Sequence, residues 1–125
     1  MPLVVRTACL KSSAARRDDA LDVTRGTGSG DALAFAPSAK LLTWVKGEGR
    51  RGRLEGAWPL YRQRYLDEMA ASQIVHHDAW TRLLARESVT LLCYCNGAGI
   101  RCHRSLLAGL LVDLGAMYEG EVETE

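Results

Sequence analysis

Three of the four cysteines lie within one short segment, CYCNGAGIRCHR at positions 93–104, together with a histidine and two arginines. A cysteine can supply a nucleophilic thiolate, a histidine can transfer a proton, and an arginine can hold a phosphate or an oxyanion. Glycines between them let the backbone approach a bound group closely. The segment therefore has the residue types of a thiol enzyme, a metal site or an anion-binding loop.

The candidate catalytic residues are Cys102, His103 and Arg104. In an enzymatic interpretation Cys102 is the reactive group, His103 its proton-transfer partner and Arg104 the group that holds an oxyanion. A helix that begins here would favour an anion through its unpaired N–H groups and its dipole, and would lower the pKa of a neighbouring thiol. Because adjacent helical residues point about 100° apart, Cys102 and His103 need not face the same pocket.

Two other chemical interpretations use the same segment. Cys95 is followed by a glycine-bearing loop, Arg101 and a helix, which is how tyrosine-phosphatase-like and rhodanese-like domains present a nucleophile. Cys93, Cys95, Cys102 and His103 have the soft ligand atoms that zinc prefers. Their Cys-x-Cys spacing is poor for a structural zinc site, however, and we predict no metal.

A purely structural interpretation also stays open. Cysteine is among the most buried residue types, so Cys9 and Cys93 fit core positions. His103 lies on the same helical face as the leucines that follow it, and fits a buried histidine with its hydrogen bonds satisfied. Arg104 would then pair with a carboxylate.

Apolar patterns alternate between strand and helix along the chain. Strands are predicted at 3–10, 20–24 and 88–94, and residues 118–124 form either a short strand or an acidic tail. Helices are predicted from the N-cap Ser38 to the glycines at 47 and 49, at 58–69 with Pro59 in the first turn, at 78–86 after His76 and His77 in a loop, and at 103–114.

This alternation predicts an α/β fold: a single-domain layered sandwich over residues 1–125, with a small, largely parallel sheet flanked by helices. Ligands bind such sheets at the carboxyl ends of the strands, and the segment 93–104 follows the strongest predicted strand.

Length and charge narrow the classes of function. The 125 residues suit one domain, and 16 basic against 15 acidic residues leave a net charge of +1, so bulk electrostatics predicts neither a membrane nor a nucleic-acid partner. No apolar run reaches the roughly 20 residues that cross a bilayer, and the first residues do not fit a signal peptide. We therefore expect a cytoplasmic protein with unpaired cysteines, and we predict no cofactor.

Two loops offer further contacts to an anion. RGTGSGD at 25–31 is dense in glycine but lacks the lysine of a Walker A loop. GRRGR at 49–53 is either a solvated charge run or a phosphate-contacting loop, since arginines bind phosphate oxygens in pairs. A non-enzymatic nucleic-acid-binding module that uses GRRGR and Arg25 is thus an alternative to an enzyme.

Several segments together resemble the domain-of-unknown-function 488 family. LLCYCNGAGIRCHRSLLAGLL is similar to the C-terminal signature of that family, in which a buried strand leads through a short loop to Cys-His-Arg at a helix start. Four upstream segments resemble other parts of the family, in family order and over roughly residues 4–122: TACLKS, ALDVTRGTG, LAFAPSAKLL and YRQRYLDEM.

The resemblance implies a single α/β domain of bacterial or phage type whose activity is not established. The positions that match the signature are Cys93, Cys102, His103 and Arg104, and those that match the accompanying segments are Arg25, Pro37, Ser38, Tyr61 and Tyr65. The chain departs from the family pattern at Cys95, where an acidic residue is usual, and in a longer glycine loop that carries Arg101. This departure weakens the phosphatase-like interpretation.

The leading hypothesis is a pocket for a small anionic ligand, a phosphate-bearing nucleotide or nucleic acid. Its predicted ligand-binding residues surround the Cys102-His103-Arg104 helix start. They are Arg25, Ser38, Tyr61, Tyr65, Cys93 and Arg101.

Overall fold

The β-branched and apolar runs of the sequence form a four-stranded parallel sheet. The computed structural model describes residues 2–93 and 103–122. The strands are β1 (Val4–Cys9), β2 (Ala20–Asp22), β3 (Ser88–Cys93) and β4 (Met117–Glu121). They lie in the order β2-β3-β1-β4, and each neighbouring pair is parallel, so the predicted α/β class and parallel sheet are confirmed.

Four α-helices connect the strands. They are α1 (Ala39–Arg50), α2 (Leu54–Val75), α3 (His77–Leu84) and α4 (His103–Asp113). Short 3-10 helices lie at Ser13–Arg16 and Gly30–Phe35. None of the helices within the described residues is long and apolar enough to span a membrane.

Side chains alternate between the two faces of the sheet, and the two faces are covered differently. On one face Val5, Val89 and Leu91 are fully buried in a single cluster with apolar residues of all four α-helices. On the other face Ala8 and Leu92 pack against Ala14 of the first 3-10 helix. The principal core therefore lies between the sheet and the α-helical layer.

Several predicted helix bounds were wrong, among them the end of α2, which lies at Val75 and not at Met69. Helix α1 does not stop at its glycines but runs on to Arg50, and α2 begins at Leu54, which makes Pro59 its sixth residue instead of a first-turn residue. His77 is the first residue of α3, not part of a loop. These turns are largely exposed, so they carry little of the apolar periodicity on which the prediction depended.

Ser38 caps α1, as predicted, and also joins it to α2. Its Oγ accepts a hydrogen bond from the Leu41 N–H at 3.1 Å. The Ser38 N–H and hydroxyl donate to the two carboxylate oxygens of Glu68, at 2.8 and 2.5 Å. One residue thus fixes the start of α1 against the middle of α2.

The chain turns sharply after β2 around the carboxylate of Asp22. This carboxylate accepts hydrogen bonds from the Thr24 N–H at 3.0 Å, the Thr24 hydroxyl at 2.7 Å and the Thr27 hydroxyl. The Gly28 N–H then donates to the Thr24 carbonyl oxygen at 3.0 Å. A Cβ at position 28 would lie 2.5 Å from that oxygen and 2.7 Å from the Asp22 carbonyl oxygen. Only glycine fits this turn.

We expect Gly28→Ala to lower the free energy of unfolding by about 1–3 kcal/mol, because backbone atoms must move to admit the methyl group. Gly26→Ala is the matched control, since a Cβ at position 26 would meet nothing within 4 Å. Urea unfolding of both variants checks the prediction. Equal stability of the two variants would contradict the turn geometry.

Candidate functional site

A cavity of about 600 Å³ lies at the carboxyl ends of β2 and β3. Thr24, Arg25 and Gly26 line it from the segment after β2, Cys93 from the end of β3, and His103 from the start of α4. The remaining wall comes from Pro37, from α1 and from α2. It consists of Pro37, Ala39, Leu42, Thr43, Val45, Lys46, Gly49, Leu54, Trp58 and Tyr61.

His103 is buried, and its protonation state is set by its surroundings. Its Nε2 lies 2.7 Å from the carbonyl oxygen of Val23. A carbonyl can only accept a hydrogen bond, so Nε2 carries the hydrogen and Nδ1 carries the lone pair. Burial, aided by the charge of Arg104 and opposed by the Val23 hydrogen bond, lowers the pKa of His103 to about 4. The imidazole is therefore neutral at pH 7.

Arg104 is fully buried and holds two strands together. Its Nε and Nη2 donate to the two carboxylate oxygens of Glu121 at 3.2 and 2.7 Å. Its Nη1 donates to the Cys93 Sγ at 3.0 Å and reaches the Cys93 carbonyl oxygen at 3.5 Å. The guanidinium thus connects α4 to the end of β3 and to β4, and it is absent from the described lining of the cavity.

Cys93 is buried, as the structural interpretation predicts, but its sulfur is disulfide-bonded, so the expectation of unpaired cysteines was wrong for this residue. Cys9 is free and partly buried, and it lies beside Cys93 in the register of β1 and β3. The other proposed thiol-site residues, Cys95, Arg101 and Cys102, lie outside the described residues.

Arg25 lines the cavity and also organises the segment opposite β2. Its Nε donates to the Pro37 carbonyl oxygen at 3.0 Å, and its Nη2 reaches those of Ala36 at 3.4 Å and Leu33 at 3.5 Å. Leu33 lies within the second 3-10 helix, and Ala36 and Pro37 follow it. The guanidinium is thereby anchored at the cavity wall through Nε and Nη2.

Four rings form a continuous row from the cavity wall to α4. Trp58 and Tyr61 stack with centroids 5.3 Å apart and planes at 25°, and Tyr61 and Tyr65 stack at 6.4 Å and 12°. The ring centroids of Tyr65 and His103 lie 5.7 Å apart. The Tyr65 hydroxyl donates to the Phe35 carbonyl oxygen at 2.7 Å, and burial raises the pKa of Tyr65 well above its ordinary value.

The cavity brings together four of the predicted site residues: Arg25, Tyr61, Cys93 and His103. Ser38, Tyr65 and Arg104 lie in the supporting contacts around it. No cluster of three or more His, Cys, Asp or Glu side chains among the described residues could hold a metal ion.

Sequence reasoning missed Lys46 and Trp58 as lining residues. The sequence predicts Trp58 only as the first residue of a helix, although its spacing of three and seven positions to Tyr61 and Tyr65 puts the three rings on one helical face. Lys46 follows Leu42 by four positions on α1, so it lies on the helical face that meets the cavity. That spacing alone does not say that the face borders a cavity.

An α/β fold with a cavity at the carboxyl ends of parallel strands is an architecture that many families share. A family model described as "Active DUF488-N3 subclade" (DUF488-N3a) matches residues 31–115, more than half of the chain. The protein therefore belongs to the DUF488 family, which confirms the resemblance. No curated protein and no solved structure matches it.

We expect Glu121→Ala to lower the free energy of unfolding by about 3 kcal/mol, because it removes the carboxylate from a buried guanidinium. Glu119→Ala is the matched control on the same strand. Glu119 pairs with Arg6 in a more exposed site, so its loss should cost at most about 1 kcal/mol. Chemical unfolding measures both values. Similar values for the two variants would mean that the buried ion pair does not stabilise the fold.

We expect stability to rise with pH between about 4 and 6.5. The pKa of His103 is about 4 in the folded protein and returns to its ordinary value on unfolding, so the unfolded chain binds more protons in this window. The gain across the window should be about 3 kcal/mol. The lowered pKa of Asp19 acts below pH 3.8, outside the window.

Urea unfolding at each pH checks this dependence. His103→Gln keeps an N–H donor for Val23 but cannot titrate. Its free energy of unfolding should therefore rise much less between about pH 4 and 6.5. The exposed His77, changed to Gln, should leave the slope as it is. A His103→Gln profile as steep as that of the unchanged protein would contradict the assignment.

Proposed function

We propose that the protein binds a phosphate-bearing ligand, a nucleotide or nucleic acid, in the cavity at the carboxyl ends of β2 and β3. The observation that carries the proposal is the charge of the cavity wall. Arg25 and Lys46 line it, and no carboxylate is present in the lining given by the described residues. Two cations beside apolar walls focus a positive potential into the cavity, which favours an anion.

The geometry of Arg25 suits a phosphate. Nε and Nη2 are held by carbonyl oxygens, so the guanidinium is pre-organised and little side-chain entropy is lost when it contacts an anion. Because carbonyl oxygens engage Nε and Nη2, Nη1 is the nitrogen that would donate a charge-assisted hydrogen bond to a phosphate oxygen. Lys46 is exposed and adds a second charge at the same cavity.

An enzymatic version of the proposal adds thiol chemistry. The family description calls this subclade active. Cys102 would be the reactive thiol and His103 its proton-transfer partner, although a pKa of about 4 makes the His103 imidazole a weak base. Arg104 would act by holding the start of α4 in place, since Glu121 and Cys93 engage its guanidinium. A phosphatase- or rhodanese-like version would use Cys95 and Arg101 instead.

The nucleic-acid version is supported by the GRRGR segment. Gly49 and Leu54, which flank its arginines, line the cavity, but the arginines themselves are absent from the described lining. Arg53 is paired with Glu48 at 2.9 Å and contributes less free charge. This version predicts a steep loss of affinity with added salt.

We expect Lys46→Gln to weaken the binding of adenosine 5′-monophosphate about fivefold, since one partly screened charge contact contributes about 1 kcal/mol. Lys40→Gln is the matched control, because Lys40 is exposed on the same helix but does not line the cavity. Isothermal titration calorimetry of both variants gives the affinities.

Equal losses for the two lysines would show that the effect is one of net charge and would contradict binding in this cavity. Absence of binding by any phosphate-bearing probe, mononucleotide or oligonucleotide, would overturn the proposal altogether. Repeating the titration after iodoacetamide treatment of the reduced protein separates the versions. If alkylation abolishes turnover but leaves binding intact, the result supports the thiol enzyme. If alkylation changes neither binding nor turnover, it supports the binding module.

A further inference from the structure

One wall of the cavity is aromatic, and the phosphate proposal does not use it. Trp58 and Tyr61 both line the cavity, and their rings are stacked, with centroids 5.3 Å apart and planes at 25°. Tyr61 is itself buried between Trp58 and Tyr65, so Trp58 is the outer ring of the stack. Leu42, Val45 and Leu54 continue this wall with apolar side chains. A phosphate alone has no use for such a surface, because an anion is better solvated by polar groups.

We infer that the ligand is a free mononucleotide whose base packs against Trp58 and the apolar side chains beside it while its phosphate meets Arg25 and Lys46; this inference rests on the proposed function. Stacking of a base on an aromatic side chain contributes about 1–3 kcal/mol and works for every base, since each has a π face. The cavity thus offers both halves of a nucleotide a matching surface: an aromatic wall for the base and two cations for the phosphate.

The size of the cavity favours a free nucleotide over a polymer. Its volume of about 600 Å³ lies within the range of about 300–1,000 Å³ that is usual for small-molecule sites. A single-strand binding surface instead needs a groove with cations repeated along the backbone of several nucleotides. The net charge of only +1 and the pairing of Arg53 with Glu48 give little support to such a groove.

The aromatic wall is held in place before any ligand arrives. Tyr61 is buried and stacked between Trp58 and Tyr65. Tyr65 is fixed in turn by its hydrogen bond to the Phe35 carbonyl oxygen and by its contact with His103. A rigid aromatic anchor loses little conformational entropy on binding, which strengthens the attraction that remains.

Trp58→Ala tests the wall, and the chain offers two matched controls. Trp58→Phe keeps a ring at the same position. Trp44→Ala removes a tryptophan that packs against the Arg64 guanidinium on α2 and does not line the cavity. Thermal unfolding followed by circular dichroism establishes that each variant is folded at the temperature of the binding assay.

Calorimetric titrations use three probes: adenosine 5′-monophosphate, ribose 5-phosphate and a short single-stranded oligonucleotide. We expect adenosine 5′-monophosphate to bind more tightly than ribose 5-phosphate. Trp58→Ala should weaken the affinity for the mononucleotide about 5- to 150-fold, which corresponds to the loss of one base–aromatic stacking contact. Trp58→Phe should bind the mononucleotide almost as tightly as the unchanged protein, and Trp44→Ala should bind it equally tightly. The weak binding of ribose 5-phosphate should be the same in all three variants.

The failures can be told apart. If ribose 5-phosphate binds as tightly as the mononucleotide, or if Trp58→Ala and Trp44→Ala behave alike, the base is not recognised and the inference falls, while the phosphate proposal stands. If the oligonucleotide binds at least tenfold more tightly per molecule than the mononucleotide, the ligand is a polymer and the inference falls. If no phosphate-bearing probe binds, the inference and the proposed function fall together.

Discussion

The guanidinium of Arg104 is a full charge buried in the core, and the arrangement around the site depends on how it is satisfied. A buried charge is tolerated only when its hydrogen bonds are made by an opposite charge and by well-placed acceptors. Glu121 supplies the carboxylate from β4, and Cys93 supplies acceptors from the end of β3. These contacts fix the first turn of α4 relative to two strands, which places His103 at the cavity.

His103 connects the start of α4 to the other elements around the cavity. Its Nε2–H is bound by the carbonyl oxygen of Val23 at the end of β2, and its ring contacts Tyr65 on α2. One neutral imidazole thus joins β2, α2 and α4, and the aromatic row continues from it to Trp58. A site held by so many buried contacts has little freedom to change shape, so a ligand meets the cationic and aromatic groups already in position.

Much of the fold is visible in the sequence, but only part of the site is. The near-continuous apolar run of β3, the N-cap Ser38 and the strand–helix alternation are local signals, and they predicted the parallel sheet. A cavity lies at the carboxyl ends of its strands, where the sequence places a ligand site that stays a prediction. The partners of the site residues are distant: Val23 lies 80 positions from His103, and Glu121 lies 17 from Arg104. No periodicity reveals such pairs. The sequence therefore assigned Arg104 to an oxyanion, whereas in the structure its buried guanidinium pairs with Glu121.

A crystal structure of the protein grown with adenosine 5′-monophosphate tests the central claim most directly, because it shows where the ligand lies. The account predicts density for the phosphate within hydrogen-bond distance of Arg25 and density for the base against Trp58. A ligand bound at the GRRGR arginines outside the cavity would contradict it, and so would an empty cavity at a concentration that saturates binding in solution.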